Sequence, residues 1–191
     1  MSLCSPFIPD NIGRVTVYAD EASLPTSADE RYEGKLAWVA DVNTLVVWDG
    51  TGWYILDEPV TSYTPTLTNI TLGSGALACT KRRADGYCDV VISCTFGAGM
   101  AVSGSPTFTL PHDAFSVAAL GATQANLIDT GTGTWIGQVF ASAVGSVQVA
   151  AILASGTYAQ QWGITSTVPF TWVSTDAITF ALRYRLADPY L

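Results

Sequence analysis

Between Arg83 and Arg183 the chain contains neither lysine nor arginine. The 99 residues in between carry five charges, all aspartate: Asp85, Asp89, Asp113, Asp129 and Asp176. Disordered segments are rich in charge and poor in apolar residues, so a stretch of this kind must fold and cover itself. Across the 191 residues only 13% are charged, against about 25% in ordinary soluble domains, and the mean hydropathy is +0.31. No apolar run reaches the roughly 18 residues that a membrane-crossing helix needs. The reading therefore excludes both membrane insertion by helices and an acidic disordered tail. Met1–Pro6 places no basic residue ahead of an apolar stretch and does not read as a secretion signal. Surface polarity must come from uncharged groups, and 23 Thr, 15 Ser and 17 Gly supply them.

The net charge of −8 is unevenly placed: residues 1–60 hold ten acids and three bases, residues 61–191 six acids and five bases. Nucleic-acid binding calls for a basic stripe that displaces counterions, and the sequence has none. Its one basic run, Lys81-Arg82-Arg83 before Asp85-Gly86, reads as an exposed hairpin end. Charge depletion is typical of the buried centre of permanent interfaces. The sequence thus predicts a homo-oligomer whose subunit contact is lined by residues 84–182.

Side chains able to do chemistry are few. Cys4, Cys79, Cys88 and Cys94 form no CxxC pair and have no histidine at metal-ligand spacing, so no metal and no cofactor are expected. On a strand Cys88, Val90, Ile92 and Cys94 share one face, which predicts buried thiols. A loop from Arg82 to Asp85 would let Cys79 face Cys88, but free thiols are the favoured state without a secretion signal. His112, in Leu110-Pro111-His112-Asp113, has no GxSxG elbow to serve. Asp129-Thr130-Gly131 matches the turn of aspartic proteases, whose paired carboxylates share a proton, and would need a homodimer to supply the second carboxylate. The late segment Phe180–Arg185 lacks the glycine of the companion element, and Thr130–Gly133 makes a good hairpin loop. A non-enzymatic chain is the expectation. Phe96-Gly97-Ala98-Gly99-Met100 opens like a nucleotide loop but lacks the third glycine and a following helix, and reads as a flexible loop.

Along the chain, residues 1–14 read as an extended arm. Asp20–Leu24 suits one helical turn stopped by Pro25. Residues 15–58 form an acidic, Trp-rich β-meander from Lys35–Asp41, Thr44–Trp48 and Trp53–Asp57, with Asp49-Gly50 as a hairpin turn. Trp38, Trp48 and Trp53 are expected to make a small Trp-rich core, while Trp53 beside Asp57 is also a platform on which a sugar would stack. Residues 59–191 read as all-β, with strands at Thr64–Leu72, Ala76–Lys81, Tyr87–Phe96, Thr107–Leu110, Val117–Leu120, Thr123–Ile128, Thr134–Ala141, Ser146–Leu153, Gln160–Thr165 and Ala177–Leu186. That number of short strands without a long helix predicts a jelly-roll β-sandwich. In the last strand Ile178, Phe180, Leu182, Tyr184 and Leu186 should point inward. No heptads occur, so no coiled-coil stalk is expected.

Two stretches carry a resemblance. Val15–Leu56, with its core LAWVADVNTLVVWDGTGW, resembles the short meander near the start of tailed-bacteriophage minor tail and fibre proteins. Tyr63–Leu110 together with Thr165–Ala187 is similar to the C-terminal TNF-like jelly rolls of phage fibre, tail-tip and head-decoration proteins. The resemblance implies a virion structural protein made in the host bacterial cytoplasm. It implies a homotrimer at the tail tip or on the capsid surface, docked to other virion proteins through its N-terminal region. A host-surface glycan-binding module, with its sugar site in loops around Trp162 or Trp172, is the alternative it implies. The chain departs from a typical fibre by lacking a shaft.

Overall fold

The computed structural model describes residues 15–27, 33–155 and 158–191, so the arm expected over residues 1–14 lies outside the described residues. The described chain is all-β. Its strands are β1 Thr16–Tyr18, β2 Leu36–Val39, β3 Thr44–Trp48, β4 Trp53–Asp57, β5 Thr61–Ser62, β6 Leu67–Thr71, β7 Ala76–Ala84, β8 Tyr87–Thr95, β9 Ala101–Thr109, β10 Ala122–Asp129, β11 Gly133–Ala143, β12 Ser146–Ser155, β13 Tyr158–Gly163 and β14 Ala177–Arg185. No helix among the described residues is long and apolar enough to cross a membrane.

The chain forms two compact units. The first comprises the described residues up to Pro59, together with Arg83–Gly86 and Pro189–Leu191. Its sheet runs β1-β2-β3-β4, and β1, absent from the sequence reading, lies parallel to β2. Asp20 caps a 3-10 turn over Glu21–Ser23 by accepting from the Ser23 amide at 2.8 Å, as an N-cap carboxylate should. The core consists of Leu24, Ala37, Val39, Val46 and Ile55, with Tyr18 and Trp53 packed against it. It is therefore aliphatic rather than Trp-rich. Strand alternation sends Ala37 and Val39 inward, and Trp38 and Trp48 stay half-buried outside that cluster. The far edge of β4 is covered by returning backbone: Ile55 donates to Pro189, Leu191 to Trp53 and Asp85 to Leu56.

Lys81, Arg82 and Arg83 lie beside the hairpin turn but within the strand rather than in the loop, with Arg82 exposed and Lys81 and Arg83 half-buried. β7 runs on to Ala84, and the turn is Asp85-Gly86, with φ of 53° and 75°. Two successive positive φ values are what a two-residue hairpin turn matching strand twist requires. The Arg82–Asp85 loop that would let Cys79 face Cys88 is therefore not formed. Cys79, Cys88 and Cys94 are free and buried.

The second unit comprises Val60–Arg82 and Tyr87–Asp188. Its strands follow the path β7-β8-β14-β10-β11-β12-β9-β6, with β13 on β12 and β5 on β7. The inward positions expected on β14 are all buried, as are Cys88, Val90, Ile92 and Cys94 on β8. Phe108 of β9 and Phe180 of β14 meet edge to face with centroids 5.3 Å apart, although those strands are far apart along the path. Two walls of one sheet therefore face each other across a shared core, a jelly-roll-like β-sandwich.

Three local readings change. Val117–Leu120 is a 3-10 turn rather than a strand, because the Ser116 side chain accepts from the Ala119 amide and Gly121 ends it at φ 58°. β9 begins at Ala101 despite Gly104 and Pro106. Between Thr68↔Thr107 and Ile70↔Val102 the extra residues lie in β9, where 103–106 bulge opposite the single residue Asn69 (φ 66°), so the proline sits in the bulge. The Phe96–Met100 loop is not free: Gly97 donates to Leu72 and Ser74 to Ala98. A Cβ on Gly75 would overlap the Thr95 carbonyl, so the two loops meet backbone to backbone where only glycine fits.

Candidate functional surfaces

Three candidate chemical groups fall into structural roles. The His112 ring lies 3.0 Å from Lys81 Nζ, and its carbonyl accepts from the Tyr184 hydroxyl at 2.9 Å. Asp129 ends β10, paired with Gly133, and Thr130–Thr132 turn the hairpin into β11. The buried carboxylate nearby is Asp176, which the sequence reading passed over. It is fully buried and accepts from the Val173 amide at 2.7 Å and the Thr130 amide at 3.0 Å. The Thr130 hydroxyl donates to the Thr175 carbonyl at 2.7 Å. Asp176 thus ties the loop before β14 to the Asp129 turn. Among the described residues no group of three His, Cys, Asp or Glu could hold a metal.

Buried thiols are equally inert as nucleophiles. Burial pushes the Cys94 thiol up to about 12, and raises Cys79 as well, whereas reactive cysteines have depressed values.

The sheet β8-β14-β10-β11-β12-β13 presents an outward face whose composition follows from register. Val91 pairs with Ala181, Gln124 with Gln138, Gln138 with Ala150 and Ala150 with Gly163. The next row runs through Ser93, Thr179, Asn126 and Ile136, then Ile152 and Gln161. Neither row holds a charge. Val91 and Ile136 are about half exposed, at 51% and 53%. The charges of the face gather at one end, where Arg183 lies 3.7 Å from Asp89 and stacks over Tyr87, and Arg185 stacks over Phe115. An exposed ion pair of that kind contributes about 0–1 kcal/mol.

The first unit carries a groove of about 400 Å³, lined among others by Glu21, Pro25, Trp48, Thr51, Trp53 and Tyr190. The two indoles meet edge to face at 5.7 Å. Asp49 accepts from the Thr51 and Gly52 amides at 2.9 and 3.0 Å and from the Tyr190 hydroxyl at 2.9 Å. Those amides, Gly52 foremost, hold its carboxyl below the usual carboxylate range. Asp57 is not Trp53's partner here: it lies four positions further along β4, about 13 Å away. Trp172 offers no sugar platform. It is 5% exposed, meets Phe96 edge to face and Phe170 at a tilt, and donates its indole N–H to the Val168 carbonyl. Trp162, on β13, is 45% exposed.

No protein-family model, curated protein or solved structure matches the chain.

Proposed function

We propose that this chain is a non-enzymatic structural component of a bacteriophage virion, a homotrimer at the tail tip or fibre or on the capsid surface. The observation that carries the reading is the outward face of β8-β14-β10-β11-β12-β13, with two rows free of charge that include half-exposed Val91 and Ile136. Such a face can be buried without stripping any charge of water, and burying its apolar part against copies of itself contributes about 25 cal/mol per Å². The acidic first unit, with its separate core, is the part that docks to other virion proteins.

Light scattering at micromolar concentration should give a trimer mass, and Ile136→Lys or Ala181→Glu should lower it to a monomer with the β-sheet circular dichroism retained. A monomeric wild type sinks the oligomer. A chain lacking residues 1–60 and 189–191 should stay trimeric and fail to join particles, and incorporation at normal copy number would refute the docking role. Copies per particle separate the two positions: hundreds on a capsid, a handful at a tail tip.

The groove beside Trp48, Trp53 and Tyr190 favours a second reading, a host-surface glycan-binding module. Its aromatic lining suits stacking on sugar rings, and its volume lies within the range of small-ligand sites. A glycan array probed with wild type and Trp53→Ala decides this: binding lost in the variant supports the module, and no wild-type binding removes it.

A further inference from the structure

We propose that β13 is the strand through which copies of this chain join edge to edge, continuing the sheet of one subunit into the next. This rests on the oligomeric reading above and adds an edge contact to the face contact proposed there. All six residues of Tyr158–Gly163 are exposed, Tyr158 at 75% and Trp162 at 45%. On one side β13 pairs with β12 without a register shift, from Ser155↔Tyr158 to Ala150↔Gly163. Its other edge pairs with no strand among the described residues.

An open edge presents a row of unpaired N–H and C=O groups, and monomeric proteins blunt such edges with lysine, proline, a bulge or a covering loop. β13 has no charge, no proline and no bulge. The whole stretch from residue 130 to 175, which contains β11, β12 and β13, holds no Asp, Glu, Lys or Arg. An occupant must offer a strand edge and bring no charge onto this surface, because a charge stripped of water beside amide and apolar side chains is costly. The acidic first unit fails that requirement, whereas the uncharged strands of a second copy meet it. Pairing of β13 with itself needs a two-fold axis, so in a three-fold ring it meets a different strand of the next copy. β6 ends the other side of the sheet path, and residues 59–80, β6 included, are likewise without Asp, Glu, Lys or Arg.

Hydrogen exchange on the full chain tests this. In the assembled protein the β13 amides should exchange at least about tenfold more slowly than in dilute monomer. Gln161→Lys and Trp162→Lys should each shift the light-scattering mass toward monomer. Both sites are exposed, so the melting of the dilute monomer should stay unchanged, and Val42→Lys on the first unit should leave the mass alone. Fast β13 exchange in an intact oligomer, or full mass in both lysine variants, overturns the proposal while the oligomer stands. A wild type that is monomeric at every concentration removes both.

Discussion

Replacing Asp176 with alanine removes the acceptor of two backbone amides at a fully buried position. A hydrogen bond to a charged group contributes roughly 1.5–3 kcal/mol, and an amide left unsatisfied in the interior loses its solvation as well. Two such bonds give roughly 3–6 kcal/mol. The variant also relieves the cost of keeping a carboxylate out of water, which brings the expected loss to about 3 kcal/mol. At roughly 2–4 °C per kcal/mol for a chain of this size, melting should fall by about 6–12 °C. Asp176→Asn should lose about 2 kcal/mol, because its amide offers one acceptor and turns N–H toward the second donor. Asp129→Ala, at the turn itself, should stay within about 0.5 kcal/mol. The assay is urea unfolding followed by near-ultraviolet circular dichroism at fixed protein concentration, since assembly shifts apparent stability. A loss below about 1 kcal/mol for Asp176→Ala, or an equal loss for Asp129→Ala, would refute the assignment of the tether to Asp176.

Gly75→Ala should destabilise the second unit by at least about 2 kcal/mol through overlap with the Thr95 carbonyl. Gly104→Ala, whose new Cβ would find Asn69 at an ordinary 3.5 Å, should change little. Equal melting of the two variants would show that the loops at Gly75 and Gly97 can part. The buried Tyr63 hydroxyl has no hydrogen-bond partner among the described residues. Tyr63→Phe should therefore leave stability unchanged or raise it by up to about 1 kcal/mol, and a loss beyond that would reveal a bond to that oxygen. Burial raises Cys94 from an ordinary 9.0 to about 12, and raises Tyr63 and Tyr184 too. The folded state then holds protons that the unfolded chain releases, so stability should be full below about pH 9 and fall as pH rises toward 12. Urea midpoints flat to pH 11 would contradict this, and Cys94→Val should flatten the decline.

Strand positions were legible wherever alternation is strict. β14 and the inward face of β8 follow from period two alone, since one sheet face is buried and a one-residue slip would expose it. Boundaries failed where a side chain competes with the ladder. Ser116 caps a 3-10 turn in an apolar run that would otherwise pass for a strand, and Pro106 is tolerated because it lies in the bulged stretch of β9 opposite Asn69, outside the ladder. Parallel pairing of β1 with β2 carries no turn signature between neighbours in sequence, which is why the first unit read as three strands. The uncharged outward rows followed from composition once register was known. Asp176 could not be found this way: an isolated aspartate beside a threonine looks the same whether it caps a surface turn or anchors a buried one. Its signal was the lack of any other charge within the surrounding apolar run.

The closing of β4 by Pro189–Leu191 has a consequence for biosynthesis. Tyr190 lies 141 residues beyond Asp49, the carboxylate that its hydroxyl meets. At about 5–20 residues per second, the ribosome needs roughly 7–28 seconds after making Asp49 to deliver that tyrosine. During the interval the first-made strands wait with the Trp53–Ile55 end of β4 uncovered while the rest of the jelly roll is translated. The first unit to emerge is therefore the last to be finished, and a nascent chain stalled before residue 189 should present it to chaperones and proteases in a state that the released protein never shows.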